Sequence, residues 1–191
     1  MTKRRSGQTT QPRTPNRDEV PPILAVVGRS GSGKTTLVER LLHALTSKGY
    51  SVGTIKDAKG GFQLDLEGKD STRHYRAGAQ AVALVSAEQG EAAFLTRLPA
   101  GLSIEELCKR FFPDVDLVIL EGFKELPLSK IEVARGESLC CQSDPNLVAV
   151  VGRASDRRDD VPCFTLRDIP ALVQLIEETF DLAVECRGGR V

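Results

Sequence analysis

The chain has 191 residues, room for one α/β domain with tails. Its 26 lysines and arginines balance 26 aspartates and glutamates, so net charge gives no reason to expect a nucleic-acid partner. No apolar run reaches membrane-spanning length, and the first residues lack the apolar core of a secretory signal; the expectation is a cytoplasmic protein that does not bind membranes. Five scattered cysteines with no CxxC pair read as reduced thiols in that compartment. The adjacent Cys140 and Cys141 resemble a metal or redox pair, but no histidine or further cysteine stands near them in sequence.

Residues 1–22 are rich in Thr, Pro, Arg and Gln and read as a disordered tail, with Lys3, Arg4 and Arg5 as a solvated basic cluster. Ile23 to Val27 is a short apolar run that suits a buried strand, and Leu37, Leu41, Leu42 and Leu45 recur at helical spacing. A second strand is expected over Ser51 to Lys56, then a glycine-bearing loop over Asp57 to Lys69 and a helix over Asp70 to Ala77 stopped by Gly78. Ala81 to Val85 reads as another buried strand, with Glu91 to Thr96 able to pair beside it. Ser103 to Phe112 is a helix whose Ser103 and Glu106 are spaced as a capping box. Leu117 to Leu120 is the most apolar strand, Lys130 to Ala134 alternates like a strand near an edge, and Leu147 to Val151 is strand-like again. Ile169 to Phe180 is an amphipathic helix, and residues 183–191 read as a frayed tail after a domain spanning 23–182. Apolar strands alternating with helices imply an α/β fold, a mainly parallel sheet covered on both faces, with ligands bound beyond the carboxyl ends of the strands.

Three of those strand ends carry chemistry. The first joins strand to helix through Gly28, four residues, then Gly33-Lys34-Thr35. Such a glycine-rich turn aims backbone N–H groups at a phosphate chain, and the helix N-terminus adds partial positive charge. Ser30, Gly31, Ser32, Gly33 and Thr36 supply the cradle, Lys34 reaches the β- and γ-phosphates, and the Thr35 hydroxyl is a magnesium ligand. The second strand end carries Lys56 and Asp57, a cation for a phosphate and a carboxylate for magnesium, with a solvated surface pair as the competing reading. The third carries Glu121, the acidic half of a phosphate-loop site, with Asp116 at the opposite end of its strand doing structural work. In the loop and helix that follow the second strand, Asp65, Lys69 and Asp70 are candidates for contact with nucleotide, magnesium or a partner. Arg73, His74 and Arg76 make that helix start basic, which suits a nearby anion.

The motifs GRSGSGKTTL at Gly28, GTIK at Gly53, F-x-L-D-x-x-G-K-D-S at Phe62, RAGA at Arg76, DLVILEGFK at Asp116 and KIEVAR at Lys130 follow in an order that resembles the MobB family of molybdopterin-guanine dinucleotide biosynthesis adaptors. The resemblance covers about Ile23 to Phe180. It implies a three-layer phosphate-loop NTPase fold and a homodimer that binds GTP with magnesium and hydrolyses it weakly. It also implies assistance to a MobA-type guanylyltransferase, with Lys34 and Glu121 in the catalytic positions and Thr35 and Glu121 at the metal. Lys69, Asp70 and Ser71 fall in the signature loop. Two departures stand out: Asp57-Ala58-Lys59-Gly60-Gly61 replaces the family's histidine-rich stretch, and Gln63 and Glu67 replace its usual acid and proline. Without an Asn-Lys-x-Asp motif, Asp156 is the nearest candidate for guanine recognition. Two other readings remain: a small-molecule kinase with Arg153 to Asp160 as a short lid, and a metal-insertion GTPase, which the scarcity of Cys and His ligands disfavours. Arg73 and Arg135 are candidates for an arginine inserted from a second copy or a partner.

Overall fold

The computed structural model describes residues 19–59, 61, 69–155 and 158–182. Its elements are β1 (Ile23–Val27), α1 (Lys34–Ser47), β2 (Val52–Lys56), α2 (Lys69–Arg76), β3 (Ala81–Ser86), β4 (Glu91–Thr96), α3 (Ile104–Phe111), β5 (Leu117–Glu121), β6 (Lys130–Arg135), β7 (Leu147–Arg153), β8 (Cys163–Phe164) and α4 (Ile169–Phe180). They form two compact units, one of residues up to Asp57 together with those from Glu105 onward, the other of Ala58–Ile104.

In the first unit all five residues of β1 are buried, as a strand covered on both faces requires. The sheet runs β2-β5-β1-β6-β7-β8, and every neighbouring pair is parallel. Leu37, Leu41 and Leu45 of α1 and Leu172, Val173 and Ile176 of α4 pack against one face, on side chains such as Val26, Ile131 and Val133. Val52 also packs toward this core. The next residue, Gly53, turns to the other face, where a Cβ would lie 2.4 Å from the Phe112 ring just after α3. Helices therefore cover both faces, as the alternation of apolar strands and helices predicts. The end of α1 is tied to α4: Lys48 pairs with Glu177 at 2.5 Å, and the Tyr50 hydroxyl donates to the same carboxylate at 2.8 Å. Burial and that carboxylate push the Tyr50 hydroxyl up to about 12.

Three expectations need correction. A simple strand order would set β2 beside β1, but β5 lies between them, its four-residue apolar run buried between two strand neighbours. β6 is no edge strand: it lies between β1 and β7 and is buried from Lys130 to Ala134. β3 is not in the main sheet at all; it pairs antiparallel with β4 and alternates exposed and half-buried residues.

β6 is unusual in being entered and left without helices. Residues 122–129 bring the chain from β5, and residues 136–146 lead on to β7. Such irregular crossovers carry carbonyl and N–H groups that no helix satisfies. Two buried charges on β6 meet that need. The Lys130 ammonium donates to the carbonyls of Lys124 (3.0 Å) and Leu126 (2.8 Å) in the incoming segment and pairs with Asp144 in the outgoing one. The Glu132 carboxylate accepts from the backbone N–H groups of Cys140 (2.7 Å) and Cys141 (2.9 Å).

The second unit is α2 and the β3–β4 hairpin. The Arg97 guanidinium ties them, lying 4.4 Å from the Tyr75 ring centre and donating to the Tyr75 carbonyl at 2.9 Å. Among the described residues no helix is long and apolar enough to cross a membrane.

Candidate nucleotide-binding site

The loop between β1 and α1 takes its shape from glycines in the left-handed region. Gly28 (φ 137°) lies so close to β6 that a Cβ would fall 2.4 Å from the Val133 carbonyl oxygen. Gly33 (φ 104°) precedes α1 as its cap, and no side chain among the described residues bonds to the free N–H groups of that helix start. Four N–H donors and the positive end of the helix dipole therefore converge on the loop. Inside it the Ser32 hydroxyl is buried with no hydrogen-bond partner. An unsatisfied buried hydroxyl costs about 1–3 kcal/mol. A buried hydroxyl beside open N–H donors suits an anion.

Lys34 folds back over the loop and donates to the carbonyls of Gly28 (3.1 Å) and Arg29 (2.8 Å). Its ammonium is thus held above the turn it is expected to serve. The Thr35 hydroxyl donates to Glu121 Oε1 at 2.9 Å, and Lys56 Nζ lies 3.0 Å from the same oxygen. The register explains the meeting: Val26 pairs with Glu121 and Lys56 with Glu121 across adjacent parallel strands, so three strand ends reach one level. Glu121 is the acid at the carboxyl end of β5, while Asp116, at the other end, accepts from the Ser51 N–H at 2.7 Å. Asp57 donates its backbone N–H to the Glu121 carbonyl at 3.0 Å, and its Cβ packs where Gly122 has none, 2.9 Å from the ideal position. After Gly122 (φ 102°), Phe123 also has positive φ, 57°, a conformation that costs a bulky residue about 1–3 kcal/mol. That strain sits two residues after Glu121.

Arg135 occupies a place the sequence did not predict. It sits at the end of β6 in the same chain, and its Nε donates to the Ser32 carbonyl at 2.9 Å. Its terminal nitrogen is 3.4 Å from where a Gly33 Cβ would stand. A second copy is thus not needed to bring an arginine to this loop. Lys69 and Asp70 begin α2 in the second unit, where Asp70 accepts from Arg73 at 3.4 Å. Arg158, in the stretch offered as a short lid, pairs with Asp160 at 2.5 Å and donates to the carbonyls of Gln142 and Asp144. Asp65, Gln63, Glu67 and Asp156 lie outside the described residues.

The donor set suits a magnesium–triphosphate: an N–H cradle, one lysine above it, and a hydroxyl paired with a carboxylate, hard oxygen donors of the kind magnesium prefers. A family model described as MobB, molybdopterin guanine dinucleotide synthesis protein B, matches residues 23–153. The molybdopterin-guanine dinucleotide biosynthesis adapter protein of Haemophilus influenzae is 41% identical over 117 residues, which cover 61% of this chain and 65% of that one. The Escherichia coli protein of the same name is 33% identical over 168 residues, 82% of this chain and 92% of that one. The crystal structure of Bacillus subtilis MobB superposes with a TM-score of 0.67 at 26% identity, covering 86% of this chain and 99% of the other.

Proposed function

This chain belongs to the MobB family, and from that membership we propose that it is a GTP-binding adaptor of molybdopterin-guanine dinucleotide synthesis in the cytoplasm, serving a MobA-type guanylyltransferase. The observation that carries the nucleotide part is the phosphate loop, where Lys34 lies over the Gly28–Gly33 turn and the Thr35–Glu121 pair stands beside it. Bound GTP would lie along the N–H groups of residues 30–36, with Thr35 and Glu121 holding magnesium, which neutralises phosphate charge. Lys34 and Arg135 add positive charge at the phosphates, and Lys56 steadies the Glu121 carboxylate. No glutamine or histidine stands at the loop to orient a water among the contacts described, so hydrolysis is expected to be slow, well below the roughly 1 per second at which ordinary enzymes begin.

Competition titration against a fluorescent GTP analogue tests the guanine preference: GTP should displace it far more effectively than ATP, and equal displacement would remove guanine from this reading. A pull-down with the guanylyltransferase, with and without GTP, tests the adaptor part. Transfer of labelled γ-phosphate to a metabolite would instead favour a kinase.

The reading includes a homodimer. Support comes from the β3–β4 hairpin, whose cross-strand pairs Ala83–Phe94 and Val85–Ala92 form an apolar face. Val85 is 73% and Phe94 70% exposed there. Two strands alone are marginally stable, and such a face ordinarily marks a contact surface. Phe94→Glu is expected to convert a dimer to a monomer in light scattering while nucleotide binding persists; an unchanged mass would place the dimer contact elsewhere.

A further inference from the structure

Three groups, Glu132 of β6 and Cys140 and Cys141 of the crossover that leaves it, play no part in the candidate nucleotide site. Glu132, only 1% exposed, accepts from the Cys140 thiol at 2.8 Å as well as from the two backbone N–H groups. Cys141 is buried beside it, and one ligand atom from each of the three lies within 4.8 Å of the others. No ion pair among the described residues involves Glu132. Both thiols line a cleft of about 320 Å³ that also exposes Asp144 and Lys124 to its interior.

We propose that Glu132, Cys140 and Cys141 form a binding site for a soft divalent cation of the zinc class. The chemistry of the donors selects the ion: thiolates favour zinc-like metals, whereas magnesium prefers oxygen, so this site and the nucleotide site sort their metals. Metal–ligand bonds of about 2.0–2.3 Å place the ligand atoms of a tetrahedral site about 3.3–3.8 Å apart, within reach of side-chain rotation from the observed cluster. The backbone N–H groups of Cys140 and Cys141 fix the carboxylate from behind and bring both thiols to it. Open space in the cleft admits water as the fourth ligand.

Electrostatics agree with this arrangement. Burial first, then Glu132, pushes the Cys140 thiol up, and the same two causes raise Cys141 to about 12. Three acidic groups crowded together repel one another's charge, and a divalent cation reverses that penalty, so coordination deprotonates the thiols. The balance is two S–H bonds broken, two protons released to solvent, and two metal–sulfur bonds and one metal–carboxylate bond formed in place of bonds to water, with one water kept as the fourth ligand and no change of oxidation state.

The test uses the full, reduced chain saturated with magnesium–GTP and titrated with Co²⁺, whose tetrahedral thiolate complexes give a charge-transfer band and strong visible d–d bands. One equivalent should produce both, with two protons released per cobalt in a weakly buffered solution. The band should weaken in Cys140→Ser and in Cys141→Ser, vanish in the double variant, and persist in Cys163→Ser. Absence of a thiolate band in the reduced wild-type protein, or its survival in the double variant, would overturn the proposal. Should the double variant not fold by circular dichroism, the half-buried Cys140→Ser and the proton count decide: an unweakened band or no proton release overturns it. Lys34→Ala should leave the cobalt spectrum unchanged, which separates this outcome from failure of the nucleotide reading.

Discussion

Lys34→Ala is expected to reduce affinity for magnesium–GTP by about 100-fold or more in isothermal calorimetry. The ammonium now donates to two loop carbonyls, at 3.1 and 2.8 Å, and these bonds hold it over the cradle. On phosphate the same group makes charge-assisted bonds worth about 1.5–3 kcal/mol each, and two of them amount to roughly two to four decades of affinity. Lys34→Arg should not restore binding, because a planar fork does not replace a compact ammonium inside a narrow turn. The melting temperature without nucleotide should change little, since of the two carbonyls released by the substitution that of Arg29 is exposed to water and that of Gly28 is only partly buried. A variant that binds within threefold of the wild type, folded and monodisperse, would mean that the phosphates do not lie on this loop.

Lys130→Met should be the most damaging single substitution for stability outside the apolar core. Lys130 is fully buried, and its ammonium joins two carbonyls of one crossover to Asp144 of the next. Removing one partner of a buried pair costs about 3–5 kcal/mol. At this chain length each kcal/mol lowers the melting temperature by about 2–4 °C, so calorimetry should record a fall of about 6–20 °C. Adding Asp144→Leu should recover part of the loss, because the unpaired carboxylate is removed with it, but the Lys124 carbonyl still lacks the ammonium, while the Leu126 carbonyl keeps the Leu128 N–H. Acid titration gives an independent signature. Burial would raise the Asp144 carboxyl, but hydrogen bonds from Lys130 and Asn146 outweigh it and hold the group below the usual range. A carboxyl depressed by folding contributes stability that is full above the ordinary aspartate range and is lost as pH falls through its lowered folded value. Lys130→Met should flatten that part of the acid limb. A wild-type-like melting temperature and acid limb would show that the crossovers hold without the buried ammonium.

How much of this was legible in the sequence depends on how local the signal is. The glycine-rich loop after β1 is written in contiguous residues whose chemistry dictates their shape, and Glu121 is marked by its place after four apolar residues. α4 is legible residue for residue because its period and its flanking aspartates are local. Strand order is not local: nothing near Leu117 says that β5 will insert beside β1. β3 misled for a related reason, since a short apolar run looks the same whether it is buried in a sheet or presented on a hairpin. Nothing in the sequence singles out Glu132, and β6 reads as an edge strand, because Lys130 and Glu132 at alternate positions look like a solvated face. The cover that buries them is made by crossovers without helical period, so the sequence carries no mark of it. The available clue was the Cys140-Cys141 pair itself, which needed a carboxylate from a neighbouring strand to gain meaning.

The alternation of β6 has one more consequence. Ile131 and Val133 face the α1–α4 core while Lys130 and Glu132 are held by the crossovers, and Ile131 registers with Val26 of β1. Sliding the strand by one residue would exchange the two sets. Apolar strands in a parallel sheet tolerate such slips poorly in general, but here the slipped state would also drive an ammonium and a carboxylate into hydrocarbon, at a cost of several kcal/mol for each. The strand that borders the glycine-rich loop thereby excludes one-residue misalignments, and only the native register brings the Val133 carbonyl against Gly28.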